Sequence, residues 1–353
     1  MAEKGNANEI ESFHNSIHND DRNAEDWLWE YEGLDPKGYI FALLKDGTRI
    51  IGTQGMIPIH LSISGERALT AKSENSILAP DYRGGMHFSD LYEFAIVHCA
   101  EKGINLIWGF TTAVKVLRDK IHFTVHEGCI YESISVLDGK CVRARFSSMK
   151  WSSGKKTALS VFATLSSAYS ALFRNKYRKQ VVGYSLDNNL RNPSDMSRLY
   201  DVLRKKAPGL IHLDLDKKYV DWRISTNPNI SYKPLYVYKS NELAAYCFLN
   251  VNGKSGIAYL TDFTFAEANA GDFLLTKIYD ETRTARIGYI SFMGNSRNPL
   301  IAQTFKHLKG YGFIKKKSSL AFIMRNIAHP DEERIYDIAN WYVNGLWTEG
   351  YEV

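Results

Sequence analysis

The sequence is poor in the residues that mark disulfide, redox and metal sites. Its four cysteines lie far apart, and none forms a Cys-x-x-Cys pair. A disulfide framework and a thiol redox motif are therefore not expected. Among the ten histidines, His14 and His18 share one helical face, but no third ligand is near them in sequence. Because structural zinc needs about four ligands, we predict a surface helix there and no metal site.

The sequence also lacks a secretory leader and a long apolar run. Residues 1–8 are polar, so a reducing cytoplasm is the expected compartment. Residues 157–173 are apolar, but this run is short and rich in serine, which argues against a membrane span. Basic residues flank it, and such a helix could lie on an anionic membrane surface. We favour a helix packed against the domains with solvated basic flanks.

Charge of one sign is not in strong excess. Lysine and arginine number 44 against 39 acidic residues, a net charge of +5. This balance permits an anionic ligand, and no nucleic-acid-binding module is recognisable, so no nucleic-acid partner is expected. With 353 residues, of which 44% are hydrophobic and 13% aromatic, the chain is long enough for two globular domains.

Residues 77–92 organise the rest of the chain. They read as the end of a strand closed by Pro80, then a glycine turn, then the first turns of a helix. Gly84 and Gly85 allow the dihedrals of a tight turn. The N–H groups and positive dipole end of a helix start suit a phosphate, and Arg83 adds a positive charge. The alternative is an ordinary strand–turn–helix connection.

A regular order of elements surrounds this stretch. A strand, an Asp-Gly turn, a strand, a loop and a strand precede it, and a helix, a strand, a short helix and a strand follow. The predicted segments are residues 39–44, 48–58 and 68–78, a helix to 102, and residues 104–110, 113–120 and 129–136. With a glycine turn after the third strand, this order resembles the GNAT (GCN5-related N-acetyltransferase) superfamily of acyl-CoA-dependent acyltransferases.

The glycine turn matches part of that family's pyrophosphate-loop pattern, Arg/Gln-x-x-Gly-x-Gly/Ala, which often follows a proline and an aromatic-Arg pair. Pro80, Tyr82, Arg83 and Gly84 match it, whereas Met86 and Phe88 stand where the two glycines usually fall. An aromatic residue at the second position is common in the polysaccharide-associated branch, but Met86 is a departure. The cofactor-binding residues that the resemblance implies are Ser76, Ile77, Leu78, Arg83, Gly84, Gly85, Met86, His87 and Phe88.

The second half of the chain repeats this order. Trp27 and Trp29 precede an Asp-Pro pair in one copy, and Trp222 precedes an Asn-Pro pair in the other. The layout resembles tandem GNAT proteins of surface-polysaccharide biosynthesis and predicts α/β domains with mixed, largely antiparallel central sheets flanked by helices. The predicted divisions are a GNAT-like acyl-CoA-binding domain at residues 1–140, a helical basic linker at 141–208 and a degenerate GNAT-like domain at 209–353.

The second copy lacks the phosphate-loop signature. Residues 266–273 contain no Arg-x-x-Gly and carry Glu267 and Asp272, whose negative charges would repel a pyrophosphate. We therefore expect the first half to bind acetyl-CoA or another acyl-CoA as co-substrate. The second half is expected to shape the acceptor site or to support the fold.

The resemblance implies that an amine attacks the thioester directly, without a covalent enzyme intermediate. Glu74, on the predicted central strand, is the candidate general base, and an exposed strand carboxylate is an equally good interpretation. His60 and His87 are weaker candidates, and Tyr131 is the candidate acid for the leaving thiolate. Positioning and a backbone donor to the developing oxyanion would supply the large energetic terms.

The acceptor implied by the resemblance is an amine, in particular an amino sugar or sugar nucleotide for a surface glycan. Trp108 and Thr111 are candidates for the acyl pocket, with a core role as the alternative for Trp108. Trp27, Trp29 and Trp222 are expected to lie with the acceptor in a cleft between the halves. Two other functions stay open: a non-catalytic binding or regulatory module, and an enzyme that adds amino acids to peptidoglycan precursors from aminoacyl-tRNA.

Overall fold

Two units, each a mixed sheet flanked by helices, make up the chain, as the sequence predicts. They are seen in a computed structural model that describes residues 1–35, 37–148, 152–173, 175–176, 181–285, 287–328 and 332–348. Unit 1 comprises Met1–Glu127, Ile211–Pro228 and Ser319–Ile338. Unit 2 comprises Gly128–Leu210, Asn229–Ser318 and Ala339–Val353.

The sheet of unit 1 begins as an antiparallel meander of three strands, in which the Asp46–Gly47 turn joins the first two. Gly47 has φ +59°, which the tight turn requires. The third and fourth strands are parallel, and the order across the sheet is β1-β2-β3-β4-β14-β5, with β8 on β2. These strands are β1 Ile40–Asp46, β2 Arg49–Ile63, β3 Glu66–Leu78, β4 Leu106–Thr111, β5 Thr124–His126, β8 Ile211–Leu213 and β14 Ala321–Asn326.

The helices of unit 1 cover this sheet with apolar faces. The helix after the glycine turn buries Leu91, Tyr92 and Ala95 at helical spacing, in one cluster with Met56 and Ile107 of the sheet. The helices are α1 Ala7–His18, α2 Ala24–Glu32, α3 His87–Glu101, α4 Val114–Asp119, α8 Lys217–Val220 and α11 Glu333–Tyr336.

The sheet of unit 2 repeats the same order, β9-β10-β11-β12-β6-β13, with β7 added beside β9. Again the first three strands are antiparallel and the next pair is parallel. Its elements are β6 Ile130–Val136, α5 Gly139–Ser148, α6 Ser153–Ala171, β7 Ser185–Asp187, α7 Asp195–Arg204, β9 Tyr232–Lys239, β10 Glu242–Asn252, β11 Ile257–Phe265, α9 Ala268–Thr284, β12 Tyr289–Asn295, α10 Pro299–Lys309 and β13 Ile314–Lys317.

The two halves of the sequence exchange one strand. β6 comes from the first half but pairs with β12 and β13 in unit 2. Conversely, β14 comes from the second half and pairs with β4 and β5 in unit 1. The compact units therefore do not follow the predicted boundaries at 140 and 209, because sheet membership depends on pairing partners far away in sequence.

The described residues between 141 and 208 pack within unit 2 and do not form the predicted linker. Helix α6 packs its small residues against β6, where Ser170 Oγ lies 3.3 Å from Ser135 Oγ, and α7 buries Met196, Leu199 and Leu203. Arg174 and residues 177–180 of the basic segment lie outside the described residues. Among the helices that are described, none combines the length and apolar character needed to cross a membrane.

Candidate functional site

In unit 1 the parallel strands β3 and β4 separate part-way along their length. Their pairing covers only Ala71–Ser73 and Ile107–Gly109. Beyond this point β4 stays paired with β14 as far as Thr111, whereas β3 stays with β2 as far as Leu78. Within the described part of the chain, no strand pairs with the β4-facing edge of β3 after Ser73. A gap therefore opens at the carboxyl ends of the two strands.

A β-bulge in β3 shapes one wall of this gap. Two residues, Asn75 and Ser76, lie opposite the single residue Gln54 of β2. Asn75 has φ +50°, a left-handed conformation that asparagine tolerates better than most residues. Its Nδ2 donates to Tyr31 Oη at 2.8 Å, and Ser76 Oγ donates to Gln54 Oε1 at 2.5 Å. Side-chain hydrogen bonds thus hold the bulge in place.

A cavity of about 320 Å³ lies at the bulge and the glycine turn. This volume is within the range of roughly 300–1,000 Å³ that is usual for small-molecule sites. Most of the lining side chains are apolar, and Arg83 and His18 add polar groups. The lining residues are Ile17, His18, Ser76, Ile77, Leu78, Arg83, Gly84, Phe88, Ala113 and Val116.

The glycine turn brings positive charge and helix N–H groups to this cavity. Arg83 Nε donates to the Leu78 carbonyl at 3.0 Å, which anchors the guanidinium at the end of β3. Helix α3 starts at His87, and its N-cap residue Met86 makes no side-chain capping hydrogen bond. The first turn of a helix offers N–H donors and a partial positive charge. The turn can therefore receive an anionic group such as a phosphate.

The departure of Met86 from the family pattern does not close the turn. Met86 has φ −81° and ψ −17°, which any residue adopts, and its side chain is 62% exposed. Gly84, in contrast, has φ +94°, whereas Gly85 is not among the residues with positive φ. A Cβ atom at either glycine would have almost no neighbour within 4 Å, so only the backbone conformation distinguishes the two positions.

This contrast gives a matched pair of variants. We expect Gly84→Ala to strain the turn by about 1–2 kcal/mol, because an L-residue is disfavoured at positive φ. Gly85→Ala should be neutral within about 0.5 kcal/mol. Thermal unfolding of both variants checks the energies, and a spectrum of each native state checks the fold. Equal losses in the two variants would contradict the role assigned to Gly84.

The structure places the predicted catalytic residues in different units. Glu74 lies on β3 beside the bulge and forms an ion pair with Lys72, which is buried. Tyr131 lies on β6 of unit 2, with Lys315 Nζ 4.1 Å from its ring centre, and not in the unit that carries the cavity. His60 is on β2, where burial lowers its pKa, and His87 is exposed at the start of α3.

Trp29 and Trp222 contact each other within unit 1 rather than in a cleft between the halves. Their rings stack with centres 5.5 Å apart. Trp29 Nε1 donates to the Trp222 carbonyl at 3.2 Å, and Trp222 Nε1 donates to the Trp29 carbonyl at 2.8 Å. Gly33 permits this contact, since a Cβ there would lie 2.7 Å from Trp222 Cδ1. These contacts give the pair a structural role in unit 1, and the substrate role stays a prediction.

Among the other predicted substrate residues, two belong to the core and one lies beside the cavity. Trp27 is fully buried against Tyr31 and Phe41, so it belongs to the core. Trp108 is also fully buried, and its Nε1 donates to Thr70 Oγ1 at 2.9 Å. Thr111 ends β4, and its Oγ1 accepts from the N–H of Ala113, a cavity residue, at 2.8 Å. Of these residues, only Thr111 lies next to the cavity lining.

The corresponding gap in unit 2 is filled by the chain itself. β11 and β12 pair only from Ile257 to Leu260 and from Tyr289 to Phe292. Beyond that, Asn344 bridges to Gly294 of β12 and hydrogen bonds to Asp262 of β11. Trp341 and Trp347 on either side of it are fully buried. The closing segment of the chain thus occupies the space between the diverging strands.

Acidic residues lie at the start of helix α9, which is the position in unit 2 that corresponds to the glycine turn of unit 1. Glu267 is the N-cap residue of α9, accepts from Tyr184 Oη at 2.6 Å and pairs with Lys239 at 2.9 Å. Asp272 accepts from Tyr311 Oη at 2.7 Å. The two carboxylates therefore have partners within unit 2 at the position where unit 1 has its glycine turn.

Sequence reasoning missed the contributions of α1 and α4 to the cavity. Ile17 and His18 end α1, and Ala113 and Val116 lie at the start of α4. The signal for α1 was the seven-residue spacing between Ile10, which is buried, and Ile17, which is partly buried, because this spacing continues one apolar face. Among the described residues, no group of three or more His, Cys, Asp or Glu side chains could hold a metal ion.

Comparison with solved structures identifies the fold. Structures similar over most of the chain belong to a probable N-acyltransferase of Enterococcus faecalis V583 (TM-score 0.61, 10% identity) and to GCN5-related N-acetyltransferases from Anabaena variabilis ATCC 29413 (0.58, 13%) and Kribbella flavida (0.55, 11%). The chain has a GNAT-like fold. The alignments cover 92%, 92% and 93% of this chain and 71% of each of the other chains.

The assignment of a GNAT-like fold rests on structural similarity and not on sequence similarity. No protein-family model matches the chain. No curated protein matches it either. At identities of 10–13% the comparison concerns the backbone arrangement, and activity has to be argued from the site.

Proposed function

We propose that the protein is an acyl-CoA-dependent N-acyltransferase, with acetyl-CoA as the expected donor, whose co-substrate site is the cavity of unit 1. The observation that carries the proposal is the coincidence of three features at one place. The parallel strands separate there, the bulge at Asn75 forms one wall, and the glycine turn with Arg83 closes the end. Six of the nine residues predicted from sequence to bind the cofactor line this cavity: Ser76, Ile77, Leu78, Arg83, Gly84 and Phe88.

The residues present fit an acyl-CoA in their chemistry. Arg83 and the N-terminus of α3 suit the pyrophosphate, since both favour negative charge. Beyond Ser73, no strand among the described residues pairs with the β4-facing edge of β3, and this edge offers backbone groups to the amide-containing pantetheine arm. The apolar side chains of Ile77, Leu78 and Val116 exclude water from the thioester end. Bound acyl-CoA supplies the activated acyl group, and the protein supplies orientation.

The acceptor in this proposal is a primary amine, and the amino sugars named by the sequence resemblance are the first class to test. Glu74 remains the proposed base because it lies on β3 directly before the bulge. Its carboxylate is paired with Lys72 through Oε1, and in this proposal it accepts the proton of the amine directly or through one water molecule. Conversion of Glu74 to glutamine would then lower kcat more than it changes KM.

Calorimetric titration with acetyl-CoA tests the co-substrate site. We expect wild-type protein to bind and Arg83→Glu to bind roughly tenfold or more weakly, because the reversed charge repels the pyrophosphate. Lys37→Glu is the matched control, since it makes the same charge change on an exposed residue of unit 1 outside the cavity lining. Its affinity should stay within about twofold of wild type.

The competing function is a non-catalytic GNAT-like module. If the folded wild-type protein fails to bind acetyl-CoA, longer acyl-CoAs and free CoA, the transferase proposal is wrong and this module becomes the better description. If acetyl-CoA binds but no amino sugar or sugar nucleotide is acylated, the donor site stands and the acceptor class must be changed.

A further inference from the structure

Helix α6 of unit 2 buries small residues and exposes large apolar ones, whereas an ordinary surface helix buries its large apolar residues. The residues it buries are small, namely Ala163, Ser166 and Ser170. Its large apolar residues are exposed instead, with exposed fractions between 37% and 77%. These exposed residues, called the apolar stripe below, are Val161, Phe162, Leu165, Tyr169 and, just after the helix, Leu172.

The apolar stripe is continuous. With about 100° between successive residues of a helix, its five positions fall within about 100° of arc on one side of α6. Scattered single apolar residues are normal on a protein surface, but a contiguous stripe of large ones marks an interaction site. The stripe is therefore expected to bind a partner that offers an apolar environment.

The charge around the stripe indicates which occupant it is. Residues 139–186 contain ten lysines and arginines and no aspartate or glutamate, although the whole chain has 44 basic and 39 acidic residues. The rest of the chain is consequently net negative, and the positive charge is concentrated in the segment that carries α6. Lys140 and Lys155 of this segment are exposed, and Arg143 Nη1 donates to Thr164 Oγ1 of α6 at 2.6 Å.

From these observations we propose that α6, together with the described basic residues Lys140, Arg143 and Lys155, forms a docking surface for an anionic lipid membrane. An amphipathic helix with large apolar residues on one side and lysine or arginine around them lies in the plane of the membrane interface. Anionic headgroups attract the basic residues while the stripe enters the acyl boundary. Since no described helix can span the bilayer, this contact is peripheral and reversible.

The stripe and the co-substrate cavity belong to different units of the chain. The stripe belongs to unit 2, whereas every residue lining the cavity belongs to unit 1. The proposal therefore does not depend on the transferase function. Its physical meaning is that the enzyme, or the binding module, would work at a lipid surface and meet acceptors or partners held there.

Sedimentation of the full chain with lipid vesicles tests the proposal. We expect binding to vesicles of phosphatidylcholine mixed with phosphatidylserine, about tenfold or more weaker binding to phosphatidylcholine alone, and a loss of binding as salt is raised. The double variant Leu165→Ser with Leu172→Ser should lower the partition onto the mixed vesicles about tenfold or more. Lys140→Ser and Lys155→Ser should each lower it about fivefold.

Val202→Ser is the matched control, because Val202 is an apolar residue of unit 2 that is 42% exposed on α7, outside the stripe. It should bind vesicles like wild type. All substituted positions are exposed, and circular dichroism together with the thermal midpoint verifies that each variant is folded. Light scattering on the same samples measures self-association.

Two results would overturn the proposal. One is vesicle binding that is absent, or that is the same in wild type and in the Leu165→Ser, Leu172→Ser variant. The other is a dimer that this variant dissociates, without any vesicle binding by wild type. The second result would assign the stripe to contact between two copies of the chain.

Discussion

Conversion of Trp222 to alanine is expected to lower the free energy of unfolding of unit 1 by about 3–5 kcal/mol, as is usual for a buried tryptophan. Trp222 is only 5% exposed, stacks on Trp29 and takes part in both reciprocal hydrogen bonds. The substitution removes the ring, leaves a cavity beside Gly33 and takes away one of the two donors to the Trp29 carbonyl, which keeps only the Gly33 N–H. Denaturant unfolding followed by tryptophan fluorescence measures this loss.

Trp222→Phe is the control for this variant. It keeps most of the ring volume but cannot donate to the Trp29 carbonyl, so we expect a loss of only about 1–2 kcal/mol. The sequence alone predicts a substrate role for Trp222. That role would return if Trp222→Ala kept wild-type stability but weakened acceptor binding.

Asp262→Asn should change the pH dependence of the stability of unit 2. Asp262 is buried in unit 2 and accepts hydrogen bonds from Tyr246 Oη at 2.6 Å and Thr264 Oγ1 at 2.7 Å. Loss of solvation raises the pKa of its carboxyl group from 3.8 to about 6. The folded state therefore holds this proton more tightly than the unfolded state does. The resulting stabilisation is complete below about pH 4 and is lost as pH rises through about 6.

Asparagine has no such proton to lose. The stability of Asp262→Asn relative to wild type should therefore improve by about 2–3 kcal/mol between pH 4 and pH 7, at 1.36 kcal/mol per unit of pKa difference. Urea unfolding at a series of pH values measures the difference in free energy of unfolding between the variant and wild type. Groups that titrate alike in both proteins do not contribute to this difference. Tyr246→Phe removes a hydrogen bond that lowers the pKa of Asp262, so it should move the loss of stability to higher pH. A difference between Asp262→Asn and wild type that does not vary with pH would contradict the assignment.

Local features of the fold could be predicted from the sequence with good accuracy. The predicted strand at residues 68–78 is observed as Glu66–Leu78, and the predicted helix ending at 102 is observed as His87–Glu101. These elements are specified by neighbouring residues, through apolar spacing and glycine turns. The glycine turn and its place after the third strand were predictable for the same reason, and they account for most of the cavity lining.

Contacts between distant parts of the chain could not be predicted in this way. The segment at 129–136 was correctly predicted as a strand, but nothing in its own residues indicates that its neighbours are β12 and β13. Similarly, the aromatic segments of the two copies were visible in the sequence, whereas the contact between Trp29 and Trp222 joins residues 193 positions apart. Local pattern determines which element forms, and long-range packing determines where it goes.

The strand exchange has a consequence for how the protein is made. A ribosome releases the chain from its amino end, so β4, which ends at Thr111, emerges long before its neighbour β14, which ends at Asn326. At about 5–20 residues per second, roughly 10–40 s of synthesis separate the two strands. During that time one side of β4 has no native hydrogen-bonding partner, and such open strand edges pair readily with other chains. Completion of the first sheet, and with it the final form of the cavity, must wait until β14 has been translated.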